Sequence, residues 1–239
     1  MKILCLESTA KVASAAILDG EEVLAEYTVA SGKTHSELLL PMVRSLLTST
    51  SLTEDDIDLF ACAVGPGSFT GVRIGVSLLK GLAFGRGKPC AEVSALEALA
   101  EELSPLEGLL CPVMDARRAQ VYNALFRCKD GKLVRLTPDR AIAAEELAEE
   151  LCTHYNGEPC RLVGDGIAVA EEALTRAGIP LAATPSLLRT QSAAAVGRCA
   201  LRMAARGELV SDEALRPVYL RLPQAERERL ERLQEDHNN

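Results

Sequence analysis

The chain has 239 residues, 48% of them apolar, enough to bury a substantial core in one large domain or two modest ones. Its formal charge of −8 disfavours a free-standing nucleic-acid binder, because the surface as a whole repels polyphosphate unless a local basic patch or a partner supplies the contact. Eight cysteines scattered through apolar runs such as FACAVG and LLCPVM fit a reducing cytoplasm, no apolar run reaches membrane-spanning length, and MKILCLEST meets Glu7 too early for a secretory signal.

Residues 3–6, 14–18 and 23–29 are short apolar or alternating runs parted by the turn signals STAK and DGEE, and they predict an antiparallel meander. Thr34-His35-Ser36-Glu37 has capping-box form and opens the apolar run LLLPMVRSLL, a predicted helix expected to bend at Pro41. The acidic turn TEDDID leads to a strand, LFACAV, then a glycine-rich turn and a second apolar helix reaching about Phe84. This βββαβα order closes the first half. From Leu109 the order begins again, with strands LLCPVM, QVYNALF and KLVRLT, a helix in AAEELAEEL, the strand CRLVG and the helix AVAEEALTRAG. Two half-chains of like order predict a duplicated α/β fold with lobes at 1–105 and 106–222, joined near Ser104-Pro105, the second copy adding a helix over about 192–206. The charged tail 223–239 has only Leu230 and Leu233 as apolar anchors, so alone it makes at best a marginal helix.

The stretch GPGSFTGVRIG invites a phosphate-loop reading, which fails on residue type. A Walker loop requires Gly-Lys-Ser/Thr, with lysine charge and a magnesium-holding hydroxyl, and neither is present. The dinucleotide fingerprint requires Gly-x-Gly-x-x-Gly, whereas Gly65, Gly67 and Gly71 are spaced one residue wider. A plain strand-to-helix turn is the simpler account. In the helix that follows, Gly71 and Gly75 share a face with Leu78 and Leu82, and Gly81 and Gly85 line an adjacent one. Interior glycine costs up to ~1 kcal/mol relative to alanine, so four of them imply close approach of another backbone. The helix is apolar nearly all round, with Arg73, Ser77 and Lys80 its polar stripe, and the preceding helix carries Leu39, Met42, Val43 and Leu46 among more apolar positions than one face can hold. These two helices are therefore expected to form a protein–protein interface, with burial inside the chain's own domain as the open alternative.

The motifs ILCLEST, THSELLLPMV, GPGSFTGVRIG, MDARRAQVY and ALRPVYLRLPQA together resemble the TsaB (YeaZ) family over nearly the whole chain. The resemblance implies an actin-like, ribonuclease H-like duplicated fold. It also implies a part in forming N6-threonylcarbamoyladenosine at position 37 of tRNAs that read codons beginning with adenine. Family members act there as a non-catalytic scaffold that docks and activates a catalytic paralogue, TsaD, beside the ATPase TsaE, with ATP and metal held by the partners. They self-associate through the same helices, and tRNA is expected to be met only through the complex. Arg216 and Tyr219 fall in the family's C-terminal pattern, an extended segment expected to serve assembly rather than the core.

A second reading, a nucleotide-binding phosphotransferase or ATPase, follows from the implied fold. Glu7-Ser8-Thr9 stands where actin-like phosphotransferases hold metal and phosphate, Asp115 would be the second acid, and Gly164 and Gly166 an adenosine loop. Glu7 departs from the shorter aspartate of that pattern, which displaces a bridged magnesium and makes hydrolysis here improbable. A peptidase is poorer still. His35, His154 and His237 give no His-x-x-x-His pair, and the grouping of Cys152, His154 and Cys160 lacks zinc-finger spacing, so no metal is expected. Ser68 and Thr70 lack a matched His-Asp arrangement in sequence. Arg117 and Arg118, in a predicted turn, are placed to meet partner carboxylates or RNA phosphates, as is Arg73.

Overall fold

The computed structural model describes residues 1–221. The charged tail 223–239 lies outside them. The first half contains β1 (Lys2–Glu7), β2 (Ala13–Asp19), β3 (Glu22–Val29), α1 (His35–Thr50), β4 (Leu59–Gly65), α2 (Phe69–Ala83), β5 (Cys90–Ser94) and α3 (Ala95–Glu102). Its sheet has the order β3-β2-β1-β4-β5, the first three strands antiparallel and β4 and β5 parallel, the topology of the ribonuclease H-like, actin-like fold. The interior strands read as apolar runs because both faces are covered: every residue of β4 is buried, whereas the edge strand β3 is largely exposed. Helix α1 runs unbroken through Pro41, its start fixed by Glu37, whose carboxylate accepts from the Thr34 N–H (3.0 Å) and hydroxyl (2.7 Å).

Strand β5 and helix α3 extend the first half beyond the βββαβα order read from sequence, which left residues 85–104 without elements. Five residues, CAEVS, with a glutamate in the middle, give no periodic signal. The second half contains β6 (Gly108–Arg117), β7 (Gln120–Asn123), β8 (Phe126–Lys129), β9 (Lys132–Arg135), β10 (Arg140–Ala143), α4 (Ala144–His154), β11 (Cys160–Val163) and α5 (Ile167–Arg176), followed by α6 (Ala193–Ala205). The predicted strand QVYNALF divides between β7 and the start of β8, KLVRLT holds β9, and β10 lies beyond the predicted strands. Strands β7 and β8 pair successive stretches of β6, and β10 and β9 pair β7 and β8 in turn, so the βββαβα order persists with interrupted strands. The interruption falls opposite Cys111-Pro112, where proline supplies no ladder N–H, and Asn123 Nδ2 donates instead to the Pro112 carbonyl at 3.0 Å.

The layers stack as α1 and α2, the first sheet, α3 and α6, the second sheet, and α4 and α5, with a core in each of the three helix layers. Helix α6 follows the second half in sequence but packs on β1, β2 and β5 of the first sheet, so it is not part of the second copy's packing as the sequence order implied. The segment after it returns to the first half. Leu215 is buried, Arg216 N–H donates to Glu92 at 2.6 Å, and Val218 N–H donates to the Val64 carbonyl at 2.7 Å. The extended segment expected to serve assembly is therefore seated on the chain's own β4 and α2, with Leu215 in the core. No helix among the described residues is long and apolar enough to cross a membrane.

Candidate functional site

Two surfaces carry the residues singled out by sequence. The first is an apolar groove of about 400 Å³ between α1 and α2, lined by His35, Leu39, Leu40, Arg73, Ile74 and Leu78, with Ser36 and Ser77 at its edges. The second is a cleft of about 360 Å³ between the lobes, where Thr9, Lys11, Gly67 and Phe69 face Asp115, Arg117, Tyr122 and Asp165 under the strap 218–221.

The proposed interface residues divide between groove and core. Leu39, Val43 and Leu46 are 0–1% exposed and Met42 and Leu82 no more than 9%, all within the core under the first sheet's outer face. Leu78 is half-buried and lines the groove with the exposed Arg73. Gly71 and Gly75 do serve a close approach, but to the chain's own β1 turn: a Cβ at Gly71 would run into the Ser8 carbonyl, and one at Gly75 into the Ser8 hydroxyl. That hydroxyl donates to the Gly71 carbonyl at 2.9 Å, so both glycines let the turn after β1 rest directly on the helix. The close approach expected at Gly71 and Gly75 is thus made within the chain, and the first effect of a Gly75→Leu substitution falls on this internal contact. Gly85 lies beyond the helix at φ +73°, and Gly81 has open space around it. Leu40 and Ile74, which reach the groove surface, were lost among too many apolar neighbours for periodicity to sort.

At the cleft, Glu7 is fully buried behind the surface. Its Oε1 accepts from Thr9 N–H and Thr9 Oγ1, each at 2.6 Å, and its Oε2 has no partner. Burial outweighs these hydrogen bonds and pushes the carboxyl up to about 7. The Ser8 and Thr9 hydroxyls are both committed internally, so neither is presented to a phosphate. Gly164 and Gly166 are packing glycines: a Cβ at Gly164 would strike the Val113 carbonyl, and one at Gly166 would lie 2.8 Å from the Met114 carbonyl carbon. Asp115 is held by Arg117, through its backbone N–H at 2.7 Å and its guanidinium at 3.0 Å. Asp165 accepts from the Asp115 N–H at 3.2 Å, and its carboxyl is raised, mainly by burial. These residues do not fit a metal-bridged phosphate cradle: the β1 acid is turned inward, and the α2 amides begin with Ser68 N–H already given to the Thr9 carbonyl at 2.7 Å. No group of three or more His, Cys, Asp or Glu side chains among the described residues is arranged to hold a metal ion, Cys152, His154 and Cys160 included.

The buried carboxyl has a measurable consequence. A folded-state value near 7 against 4.5 unfolded means the native state holds the extra proton between those values, so the Glu7 contribution to stability is full below about pH 4.5 and lost as pH rises through 7. Glu7→Gln keeps an acceptor for Thr9 without the charge. Urea titrations from pH 5 to 8 are expected to show a stability gain for Glu7→Gln at pH 8, of order 2 kcal/mol, that vanishes at pH 5. Equal gain or loss at both ends would contradict a buried, titrating Glu7.

Comparison with known proteins places this geometry. A family model described as TsaD, tRNA N6-adenosine threonylcarbamoyltransferase, matches residues 22–228. The tRNA threonylcarbamoyladenosine biosynthesis protein TsaB of Bacillus subtilis is 34% identical over 230 residues, 95% of this chain and 96% of the relative. Its Escherichia coli counterpart is 30% identical, covering 92% of this chain and 95% of its own length. The solved structure of YeaZ from Pseudomonas aeruginosa superimposes with a TM-score of 0.75 at 26% identity, covering 92% of this chain and 99% of the other. With relatives of this identity and extent and a solved structure of matching fold, the chain belongs to the TsaB (YeaZ) family.

Proposed function

We propose that the chain is the non-catalytic scaffold subunit of the complex that forms N6-threonylcarbamoyladenosine at position 37 of tRNAs reading codons that begin with adenine. It docks and activates a catalytic TsaD-like paralogue, works beside a TsaE-like ATPase, and leaves ATP and metal to those partners. In isolation it pairs with itself. The observation that carries this reading is the groove between α1 and α2. Leu40 is 36% exposed, and Ile74 and Leu78 remain part-exposed along it, on a face the chain covers with nothing of its own among the described residues. The names of the TsaB relatives supply the pathway, and the inward-turned Glu7, with its neighbours' hydroxyls committed, supports assigning the chemistry to a partner.

The test is the mass of the purified chain in solution, alone and mixed with the TsaD-like paralogue, by light scattering after size exclusion. A homodimer that gives way to a heterodimer is the expected result. A monomer that ignores the paralogue would overturn the scaffold role.

A further inference from the structure

We propose that His35 is a proton-operated gate on the groove between α1 and α2: the groove takes its occupant only while the His35 ring is neutral and seated on the turn after β1. Protonation turns the ring out into the space the occupant needs. The inference rests on the proposed function for what fills the groove, a TsaD-like paralogue or a second copy of the chain, and adds the control of that docking. The half-buried ring stands where α1, α2 and the turn after β1 meet. His35 opens α1, its Cδ2 lies 3.1 Å from the Cβ position of Gly71 on α2, and its Nε2 is 2.7 Å from the Ala10 carbonyl oxygen. A carbonyl only accepts, so Nε2 carries the proton, and in the neutral ring Nδ1 is bare. Nδ1 is buried and has no hydrogen-bond partner among the described residues. A bare nitrogen there forgoes one bond. A protonated one is a buried, charged donor with nothing to receive it, which is the costlier state.

The charged groups of the neighbouring elements supply no acceptor for it. Lys11 follows the turn after β1, Lys33 precedes α1 and Arg73 lies on α2, and all three border the concavities that His35 lines. Glu37, on the first turn of α1, gives its Oε2 to the Thr34 N–H and hydroxyl. On β1, Glu7 is fully buried and holds Thr9. Glu26 of β3 faces α6, where it accepts from Ser192 and Ala194, and Asp19 of β2 pairs with the N-terminal amine. An imidazolium in this seat therefore has the Ala10 carbonyl for one N–H and no partner for the other.

The free chain has a way out of this state that a docked chain lacks. His35 lines both the groove and a neighbouring concavity of about 530 Å³ that reaches Lys33 and Ser68, so open volume adjoins the ring, and a protonated ring turns into it to reach water. There it stands beside Leu39, Leu40 and Ile74, on the surface that an apolar partner covers. An occupant displaces that water and leaves a charged ring desolvated with no counter-ion. Docking therefore selects the neutral ring, and a protonated chain gives up a proton when it docks. The sign follows: affinity is full at high pH and falls as pH drops through the range in which histidine charges.

The test measures the affinity of the chain for the TsaD-like paralogue from about pH 8 down to about pH 5.5, the span over which histidine charges, for wild type, His35→Gln and Glu7→Gln. Glutamine at 35 keeps an amide to donate to the Ala10 carbonyl and does not titrate. Each protein is compared with its own affinity at the upper end. Wild type is expected to weaken about tenfold more than His35→Gln, and Glu7→Gln to follow wild type, because Glu7 is fully buried with or without an occupant. Calorimetry of wild type near about pH 6, in two buffers of different ionisation enthalpy, is expected to show proton release on docking. If His35→Gln fails to fold, that calorimetry decides alone. Wild type and His35→Gln that respond to pH alike, or proton uptake on docking, would overturn the gate and leave the docking reading in place. A response that disappears in Glu7→Gln instead belongs to the buried carboxyl and also overturns it. A wild-type chain that binds neither the paralogue nor itself at any pH overturns the docking reading, and the gate with it.

Discussion

Replacing Gly71 with valine is expected to destabilise the chain by about 3 kcal/mol, lowering Tm by roughly 10 °C. The added Cβ meets a backbone carbonyl, that of Ser8, which cannot rotate aside as a side chain would, and His35 Cδ2 lies 3.1 Å from the same Cβ position. Either β1 must retreat from α2 or the helix must shift, and both disturb a core in which Leu4, Leu6, Val72 and Val76 are packed together. Gly81→Ala in the same helix is the control. Nothing lies within 4 Å of its Cβ position, so alanine there should stabilise by about 0.5–1 kcal/mol through helix propensity. Thermal denaturation of the two variants checks the pair. If both are neutral, the glycines owe their place to something other than the contact with Ser8.

Leu78→Asp is expected to leave the fold intact and to weaken docking of the paralogue by tenfold or more. Leu78 is only half-buried and lies along the groove with Leu40 and Ile74, so a carboxylate can stay in water in the free chain but must be desolvated without a partner in a closed apolar contact. Circular dichroism should be unchanged while light scattering shows loss of both the homodimer and the mixed pair. Leu46→Asp, by contrast, should unfold the chain, because Leu46 is fully buried in the core beneath the groove. A Leu78→Asp variant that pairs as well as wild type would remove the groove from the interface.

Much of the first half was legible from sequence because its signals are local. The capping box at Thr34–Glu37, the apolar runs of β1 and β4 and the length of α2 each announce an element without reference to anything distant. The second half was read in the right order but with unbroken strands, since the interruption depends on Pro112, a residue in a neighbouring strand. The glycine face was read correctly as a close approach and assigned to the wrong neighbour. Spacing tells which residues share a side of a helix, but Ser8 lies 63 positions from Gly71 and no local pattern names it. The same limit hid Leu40 and Ile74 and the seating of the strap. Which apolar residues of an all-round apolar helix reach water is settled only by the sheet it lies on.

The placement of α6 bears on how the chain comes to be folded during synthesis. Residues 193–205 complete the inner face of a sheet whose strands are all made by residue 94, and the strap that ties β4 follows later still. The first sheet therefore leaves the ribosome with that apolar face covered by α3 alone for about a hundred residues of further elongation, on the order of 5–20 s at common translation rates. A nascent chain in that state exposes strand faces that invite capture by a chaperone or by another copy, and its halves, though alike in order, cannot mature one after the other.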